Sequence, residues 1–475
     1  MTDSAPSVQP SHNSASSPEA PRTVSFGEAF AFWLRLGFIS FGGPAGQIAI
    51  MHQELVERRH WISEKRFLHA LNYCMVLPGP EAQQLATYIG WLLHGTRGGI
   101  VAGTLFVLPS LFILMGLSAI YVAFGSLPAI NAVLYGIKPA VVAIVVMAVL
   151  RIGSRAIKNG LLLTFAIAAF FALAVFDVPF PIIVLAAGLL GYLLAKVWPD
   201  KFKTGGGHGK SKSGEGPRVA AVLDDDHAPP AHARPNWGRF AVQAIVGAIL
   251  WGAPIALLVN WQGWDGTHAR MGTFFTTAAL VTFGGAYAVL PFVAHQAVDV
   301  FGWMKPGQMI DGLALGETTP GPLIMVVSFV GFVGGWQATD MGWTGAVLGC
   351  LIATYFTFLP SFLFILMGGP FIEQMRDELR LTSALTGITA AVVGVILNLA
   401  VFFGKTVFVP QWNVLMSSFA KAESGFSLSQ LAAAVDGVAV LIALASFVAM
   451  YRFKVSLGYV VAACALVGVA SLLWR

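Results

Sequence analysis

Apolar residues dominate the chain in runs of about 20 positions, the length that an α-helix needs to cross a lipid bilayer. Windows of that length predict thirteen membrane segments, near 25–50, 67–94, 98–124, 130–150, 160–176, 181–198, 239–260, 272–298, 309–335, 343–368, 381–403, 431–449 and 454–473. The pattern therefore predicts an all-α polytopic membrane protein.

Two stretches of the chain lack this apolar pattern. Residues 1–24 are rich in Ser and Pro, without a basic stretch followed by an apolar core. We expect a disordered tail there and no cleaved signal peptide. Residues 199–238 are polar, Gly-rich and charged, and we expect them to form a flexible cytoplasmic linker.

Several motifs recur at nearly constant spacing along the chain. At an offset of 242 residues, FISFGGPA (38–45) matches LVTFGGAY (280–287), Trp61 matches Trp303, and PGP (78–80) matches PGP (320–322). At an offset of 251 residues, LPSLFILMG (108–116) matches LPSFLFILMGG (359–369). Collinear matches of this kind indicate an internal duplication, with repeats at 25–198 and 272–475 and an extra helix at 239–260.

The extra helix determines how the two repeats are oriented. Six segments return the chain to the side on which it started, and the seventh carries it across again. The second repeat then enters the membrane from the opposite face, so the two halves have inverted topology. Inverted repeats are typical of many secondary transporters.

Loop charge predicts the orientation of the whole chain. Lys and Arg concentrate at 151–158, at 196–239 and at 452–454, which lie on one side under this count. We therefore place the N-terminus in the cytoplasm and the C-terminus in the periplasm. The basic loop at 58–66 would face outward if the first two segments each crossed fully. If each were a re-entrant hairpin, the loop would be cytoplasmic, which we favour.

Composition supports the membrane assignment. Of 475 residues, 56% are hydrophobic and 11% are charged, against about 25% charged in soluble domains. The net charge of +5 comes largely from basic loops, so we expect no nucleic-acid partner. Cys74, Cys350 and Cys464 lie far apart in apolar segments and fit neither a disulfide framework nor a metal site.

Each repeat carries two motifs that break helices, FGG and PGP. Proline within a helix costs about 3 kcal/mol or more, and lipid offers no water to satisfy the freed backbone groups. Where a helix restarts, its first N–H groups lack intrahelical partners and carry partial positive charge. Such helix starts suit a tetrahedral oxyanion. We predict that the four breaks converge as an anion site; kinks that serve close packing are the alternative.

Ionisable residues inside apolar segments are candidates for function. Glu81 follows the first PGP, where it either complements the helix dipole or takes up a proton to couple transport. Glu317 lies just before the second PGP but is not the repeat equivalent of Glu81. Arg35 is placed to pair with Glu28 or with substrate. Lys138 either offsets substrate charge or reaches the membrane surface.

Other motifs do not meet the requirements of their chemistry. HQELVERRH (52–60) is not an HExxH zinc motif, and TGGGHGKS (204–211) has Thr204 where a P-loop requires glycine. We therefore expect no metal site, no bound cofactor and no ATP-driven pumping. A membrane redox enzyme would need a flavin, haem or metal site, and no such pattern is visible.

The motifs themselves resemble a known family. The run FGGPAGQIAIMHQELVERRHWISEKRFLHALNYCMVLPGPEAQQLATYIGWLLHG (41–95), with FGGAYAVLPF (283–292) and GETTPGPL (316–323), closely resembles the chromate ion transporter family in its long-chain, two-domain form. The resemblance covers residues 25–475 apart from the linker. It implies chromate efflux across the bacterial inner membrane, chromate resistance, and two homologous halves of opposite orientation.

The resemblance also suggests which residues form the site. The substrate-binding candidates from the family motifs are Phe41, Gly42, Gly43, Pro44, Gln47, Pro78, Gly79, Pro80, Gln83, Phe283, Gly284, Gly285, Pro320, Gly321 and Pro322. His52 joins Arg35, Glu81, Lys138 and Glu317 as candidates for charge or proton coupling. The second half has Ala286 in place of Pro44 and Met325 in place of Gln83, which predicts an asymmetric site.

These observations predict a secondary transporter that exports chromate and is not an enzyme. Uptake or exchange of sulfate, an ion of nearly the same size and charge, is the alternative function. We expect chromate, with sulfate as a second candidate, and the lipid bilayer as partners, and we leave a homodimer open.

Overall fold

The computed structural model describes residues 23–41, 43–125, 127–202, 221–224, 230–373, 382–412 and 434–473. These residues are almost entirely helical, and their helices are α1 (Phe26–Ile39), α2 (Gly43–His52), α3 (Glu64–Val76), α4 (Glu81–Phe124), α5 (Pro128–Ala156), α6 (Gly160–Ala174), α7 (Phe180–Val197), α8 (Pro199–Phe202), α9 (Trp237–Gln262), α10 (Thr267–Val281), α11 (Ala286–His295), α12 (Pro306–Thr318), α13 (Val326–Gln337), α14 (Gly342–Ile372), α15 (Thr382–Phe408), α16 (Gly437–Arg452) and α17 (Leu457–Ala470). The predicted all-α class is confirmed for this part of the chain. The predicted tail lies almost wholly outside it.

Six of the described helices are long and apolar enough to cross a membrane: α4, α5, α7, α9, α14 and α15. Residues 160–174, 323–337, 437–452 and 457–470 form shorter apolar helices. The chain is therefore a multi-pass membrane protein, while the number thirteen stays a prediction. Only 6% of the most apolar window of α9 is buried, so this helix faces lipid along most of its surface.

One predicted boundary between segments is a sharp turn within the range of α4. The windows 67–94 and 98–124 meet in α4, which continues through His94 and Gly95 with non-helical backbone angles. Gly95 has φ of +63°, a conformation that glycine adopts without steric cost. A Cβ built on Gly90 would lie 2.5 Å from Ala102, so α4 consists of two helices that fold back on each other at this turn, and the two predicted windows correspond to its two arms.

Helices of the two repeats pack against each other rather than forming separate bodies. α15 packs on α5, α6 and α7, while α16 and α17 pack on α5. Gly136 of α5 lies against the backbone of Cys464 and Gly468 in α17, and Gly387 of α15 lies against Ala187 in α7. Small residues permit such close approach of helices, and these two contacts occupy equivalent positions in the repeat.

Part of the linker is folded against the first repeat. The N–H groups of Val222 and Leu223 donate to the carbonyl oxygens of His60 and Trp61 at 3.0 Å, and Leu223 forms an isolated bridge with Ile62. Leu223 is buried. The expectation of a flexible linker therefore does not hold at 221–224, because backbone hydrogen bonds and an apolar contact anchor that stretch.

The same end of the molecule holds the start of α1 and the kink of α4. The ring Nε2 of His94 lies 3.0 Å from the carbonyl oxygen of Val24, just before α1. His232 of the linker approaches the carbonyl oxygen of Trp91 at 2.8 Å. We call this region, which contains Val24, 60–66, His94, 221–224 and 230–236, the linker end.

α9 runs from the linker end to a second group of contacts. At its start, the ring of Trp237 lies 5.2 Å from that of Phe371. At its end, the amide of Gln262 contacts His268 near the start of α10. His268 Nε2 in turn lies 3.1 Å from the carbonyl oxygen of Gly345. The helix has 26 residues, so the two regions are separated by about 39 Å.

Candidate functional site

Both FGG motifs lie where a short helix ends and another begins. In the first repeat, α1 ends at Ile39, Ser40 caps it, and Gly43 opens α2 with φ of +69°. Phe41 in this turn is exposed. Gly42 lies outside the described residues. The predicted helix break is present at this motif.

The second FGG motif has the same form. Thr282 caps α10, and α11 begins after Gly285. Gly284 and Gly285 have φ of +77° and +97°, values that disfavour any residue with a Cβ. Phe283 is half-buried against the core. The motif therefore depends on glycine for its backbone path.

The PGP motifs are turns with glycine at their centres. Gly79 has φ of +120° and Gly321 has φ of +100°. Pro80 caps the start of α4, and Pro322 precedes a short 3₁₀ turn that leads into α13. Proline cannot continue the preceding helix, and glycine supplies the positive φ that reverses the chain.

Each PGP turn is hydrogen-bonded to the FGG break of the opposite repeat. The N–H of Gly79 donates to the carbonyl oxygen of Thr282 at 2.7 Å. The N–H of Gly321 donates to the carbonyl oxygen of Ser40 at 2.8 Å. The donors are 242 residues apart and so are the acceptors, so the two bonds are reciprocal. We call these two contacts the break crossings.

The break crossings use some of the free backbone donors but not all of them. Among described residues, none accepts a hydrogen bond from the N–H groups of Glu81, Ala82 and Gln83, the first turn of α4. The N–H groups of Leu323 and Ile324 after the second PGP are likewise without a described acceptor. Each PGP turn is therefore followed by unpaired donors of the kind that bind anions.

Buried amide side chains support the crossings. Nε2 of Gln47 donates to the carbonyl oxygen of Gly321 at 2.5 Å and to that of Ser40 at 3.3 Å. Nε2 of Gln84 donates to the carbonyl oxygen of Pro78 at 2.8 Å. Gln47 and Gln84 are fully buried. Gln47, a candidate from the family motifs, therefore braces the crossing of Gly321, whereas Gln84 is a residue that the sequence did not single out.

Three further candidates lie near these amides. Pro44 is in the first turn of α2, three residues before Gln47. Gln83 is fully buried, and its Nε2 donates to Thr87 Oγ1 at 3.0 Å within α4. Pro320 is buried in the second PGP turn. The side chain of Gln83 thus bonds within its own helix and not to a crossing.

The two acidic candidates differ in their surroundings. Glu81 is the first residue of α4, and no described residue forms a hydrogen bond or ion pair with its side chain. Glu317 accepts a hydrogen bond of 2.5 Å from the hydroxyl of Tyr287 in α11. Tyr287 follows the FGG of the second repeat, so this bond ties the helix after that break to the helix before the second PGP.

Arg35 and His52 take no part in the two hydrogen bonds that form the break crossings. Arg35 is exposed on α1, and Glu28 has Arg59 as its neighbour at 3.9 Å instead of Arg35. His52 lies near the linker end, where its ring nitrogens approach Glu57 at 3.2 Å and Glu64 at 2.5 Å. Neither residue contacts the FGG or PGP turns in the described part of the chain.

Lys138 is paired with a carboxylate that the sequence analysis did not select. Its Nζ lies 3.2 Å from Asp311 Oδ1, and the hydroxyl of Tyr121 donates to Asp311 Oδ2 at 2.9 Å. The Asp311 side chain is 4% exposed. Asp311 lies inside the apolar window 309–335, and this position was the signal that could have identified it. The pair joins α5 of the first repeat to α12 of the second.

A buried cluster joins the repeats at the linker end. Arg66 Nη2 lies 3.0 Å from Glu373 Oε2, and the two side chains are 1% and 0% exposed. The hydroxyl of Tyr88 donates to Glu373 Oε1 at 2.5 Å, and Arg66 also donates to the carbonyl oxygen of Asp224. This cluster connects α3, α4, α14 and the folded part of the linker.

Comparison with known proteins identifies the family. A family model described as chromate transporter matches residues 27–192 and 269–469. The chain belongs to the chromate transporter family. The matched residues include both FGG and both PGP motifs, so the break crossings are built from family sequence. Membership implies chromate as the transported ion and a lipid bilayer as the surroundings.

Individual members of the family are similar along most of their length. The chain is 34% identical over 426 residues to a chromate transport protein of Pseudomonas aeruginosa, covering 87% of this chain and 90% of that one. It is 27% identical over 398 residues to a chromate transport protein of Cupriavidus metallidurans, covering 83% and 87%. An uncharacterized transporter of Methanocaldococcus jannaschii is 25% identical over 386 residues, covering 81% and 85%. No solved structure matches the chain.

The names of these relatives favour a transporter over an enzyme. Among the described residues, no group of three or more His, Cys, Asp or Glu side chains is arranged to hold a metal ion.

The geometry of Lys138 leads to a prediction. Replacing it with methionine leaves the buried Asp311 without its positive partner, so we expect Lys138→Met to reduce the stability of the purified protein by about 1–3 kcal/mol. Lys138→Arg keeps the charge and is expected to change the thermal unfolding midpoint little. The double variant Lys138→Met/Asp311→Asn should recover most of the loss. A higher KM for chromate with unchanged unfolding would instead assign Lys138 to the substrate.

Proposed function

We propose that the chain is a secondary transporter that exports chromate from the cytoplasm across the bacterial inner membrane and thereby confers chromate resistance. The observation that carries the proposal is the reciprocal pair of break crossings, in a chain of the chromate transporter family. Each crossing joins the PGP turn of one repeat to the FGG break of the other through Gly79 and Thr282 or through Gly321 and Ser40.

Reciprocal contacts support two halves related by a two-fold axis, since such an axis makes residue i meet j whenever j meets i. The ends of the broken segments support inverted topology. Val24 and His60, which flank the first break, both lie at the linker end, and so does His94 after the first PGP. The second repeat begins next to the C-terminal end of α9, which is the end away from the linker. Phe274 and Trp303 flank the second FGG break, and their rings lie 5.8 Å apart.

These contacts favour re-entrant hairpins that approach the membrane interior from opposite sides and meet at their tips. The same reasoning places the basic loop 58–66 on the side of the linker, as the positive-inside rule requires when the linker is cytoplasmic. The proposal therefore has a cytoplasmic N-terminus and a periplasmic C-terminus.

Substrate recognition in this proposal uses backbone donors and helix starts. The unpaired N–H groups at 81–83 and 323–324 follow the two PGP turns, and a helix start attracts a tetrahedral dianion. The buried Gln47 holds one crossing in place. The acceptor-only side chains Glu81 and Glu317 lie at these turns and supply the sites for a coupled proton.

The membrane potential supports export. Moving one charge through 100 mV is worth about 2.3 kcal/mol, so a dianion that leaves a negative-inside cell gains roughly twice that. Import against the same potential requires coupled cations. Export needs none, although an inward proton or an exchanged anion is compatible with it.

Expression in bacteria that lack chromate transporters tests the proposal. We expect cells with the wild-type chain to accumulate less chromate and to grow at higher chromate concentrations than cells with an empty vector. Greater chromate accumulation, or restored growth on limiting sulfate without any effect on chromate, would support uptake instead and would contradict export.

A further inference from the structure

Two serines of the repeated LPS motif lie against the PGP turns of the opposite repeat. A Cβ built on Gly321 would lie 2.6 Å from Ser110 Cβ and 3.0 Å from Ser110 Oγ. A Cβ built on Gly79 would lie 2.6 Å from Ser361 Oγ. Ser110 and Ser361 are separated by the repeat offset of 251 residues, and both are 0% exposed. The two contacts are therefore equivalent, one at each break crossing.

Among the described residues, no group accepts the hydroxyl hydrogen of either serine. A serine or threonine inside a helix ordinarily donates to the carbonyl four residues earlier, as Ser118 does to Leu114 at 2.6 Å and Thr357 does to Ala353 at 2.7 Å. Ser110 Oγ has no hydrogen-bond partner in the described part of the chain.

Ser361 behaves in the same way as a donor. Its Oγ accepts a weak hydrogen bond of 3.4 Å from Gln84 Nε2, and no described group accepts its hydrogen. Both LPS serines thus hold an unused donor in a fully buried position beside a crossing.

Unused buried donors call for an acceptor, because an unpaired buried polar group is costly and rare in native proteins. The oxygens of a fully ionised tetrahedral oxyanion are acceptors only, which matches the free hydroxyl hydrogens. We propose that Ser110 and Ser361 donate hydrogen bonds to the oxygens of the transported oxyanion, one from each repeat. This assignment rests on the proposed function and names residues of its site.

The local sequence allows the serines to reach substrate. In this conformation the PGP turns close over both hydroxyls, so binding requires each turn and its facing helix to separate. Pro109 and Pro360 precede the two serines inside α4 and α14. A proline removes a helix hydrogen bond and is a common point of bending. Each serine therefore lies next to a proline at which its helix can bend.

Chromate transport by the purified protein in proteoliposomes tests the assignment. We expect Ser110→Ala and Ser361→Ala each to raise the KM for chromate by roughly 10- to 100-fold, the effect of one hydrogen bond to a charged group. Ser118→Ala, whose hydroxyl bonds its own helix, is the matched control and should keep the wild-type KM.

Thermal unfolding separates a binding role from a structural one. Removing an unpaired hydroxyl leaves no unsatisfied group, so both alanine variants should unfold at the wild-type temperature without chromate and be stabilised less by added chromate. If the wild type transports chromate but both alanine variants keep its KM, or if either variant fails to fold, the assignment is wrong and the proposed function still stands. Absence of chromate transport by the wild type would contradict the proposed function and this inference with it.

Discussion

Replacing either PGP glycine with alanine is expected to abolish chromate transport while leaving membrane insertion intact. Gly79 and Gly321 have φ of +120° and +100°, where a residue with a Cβ is strained by about 1–3 kcal/mol. The new Cβ would also lie 2.6 Å from Ser361 or Ser110, an overlap that costs about another 1–3 kcal/mol. Because of the backbone strain and the steric overlap together, we expect the turn to lose its hydrogen bond to the opposite break.

Gly116→Ala is the matched control for this experiment. Gly116 lies in α4, and a Cβ built on it meets no atom within 4 Å. Alanine is a better helix former than glycine, so transport should stay at the wild-type level. Full chromate efflux by both Gly79→Ala and Gly321→Ala, measured at equal membrane abundance, would refute the role of the break crossings.

Removal of Glu373 is expected to produce the largest loss of stability. Glu373→Ala leaves Arg66 charged, 1% exposed and without its carboxylate, a change that costs about 3–5 kcal/mol in buried ion pairs. The hydroxyl of Tyr88 loses its acceptor as well. The thermal unfolding midpoint of the purified protein and its abundance in membranes should both fall sharply.

A triple variant distinguishes an unpaired charge from a general packing defect. Arg66→Met/Tyr88→Phe/Glu373→Leu removes the ion pair and the tyrosine hydroxyl together and fills similar volume, so most of the stability should return. Asp265→Ala is the control, since the Asp265–Arg270 pair is exposed and contributes little. Equal unfolding midpoints for Glu373→Ala and Asp265→Ala would show that the buried cluster has no special role.

The sequence alone located the helix breaks because their chemistry is local. Proline at 78, 80, 320 and 322 cannot continue a helix, and glycine between them permits positive φ, so the turns follow from residue type. The repeat offset of 242 residues also indicated that the two PGP turns are equivalent. The turn at Gly95 falls at the boundary predicted between the windows 67–94 and 98–124, where the polar residues of HGTRGG (94–99) interrupt the apolar pattern.

Which residues meet across the molecule could not be predicted from local pattern. Arg66 and Glu373 are 307 residues apart, and their pairing depends on how α3 packs against the end of α14. Asp311 became a neighbour of Lys138 for the same reason. The folded stretch 221–224 lies inside a linker that is polar overall, and its anchoring by backbone bonds to His60 and Trp61 and by the buried Leu223 depends on packing against a distant part of the chain.

Chromate movement in everted membrane vesicles tests the proposed direction of transport most directly. Vesicles that contain the wild-type chain should accumulate chromate, faster when the interior is made positive, and Gly79→Ala vesicles should not. Right-side-out vesicles loaded with chromate should lose it as the interior is made negative. Sulfate flux without any chromate flux, or accumulation of chromate by right-side-out vesicles at negative interior potential, would contradict the account.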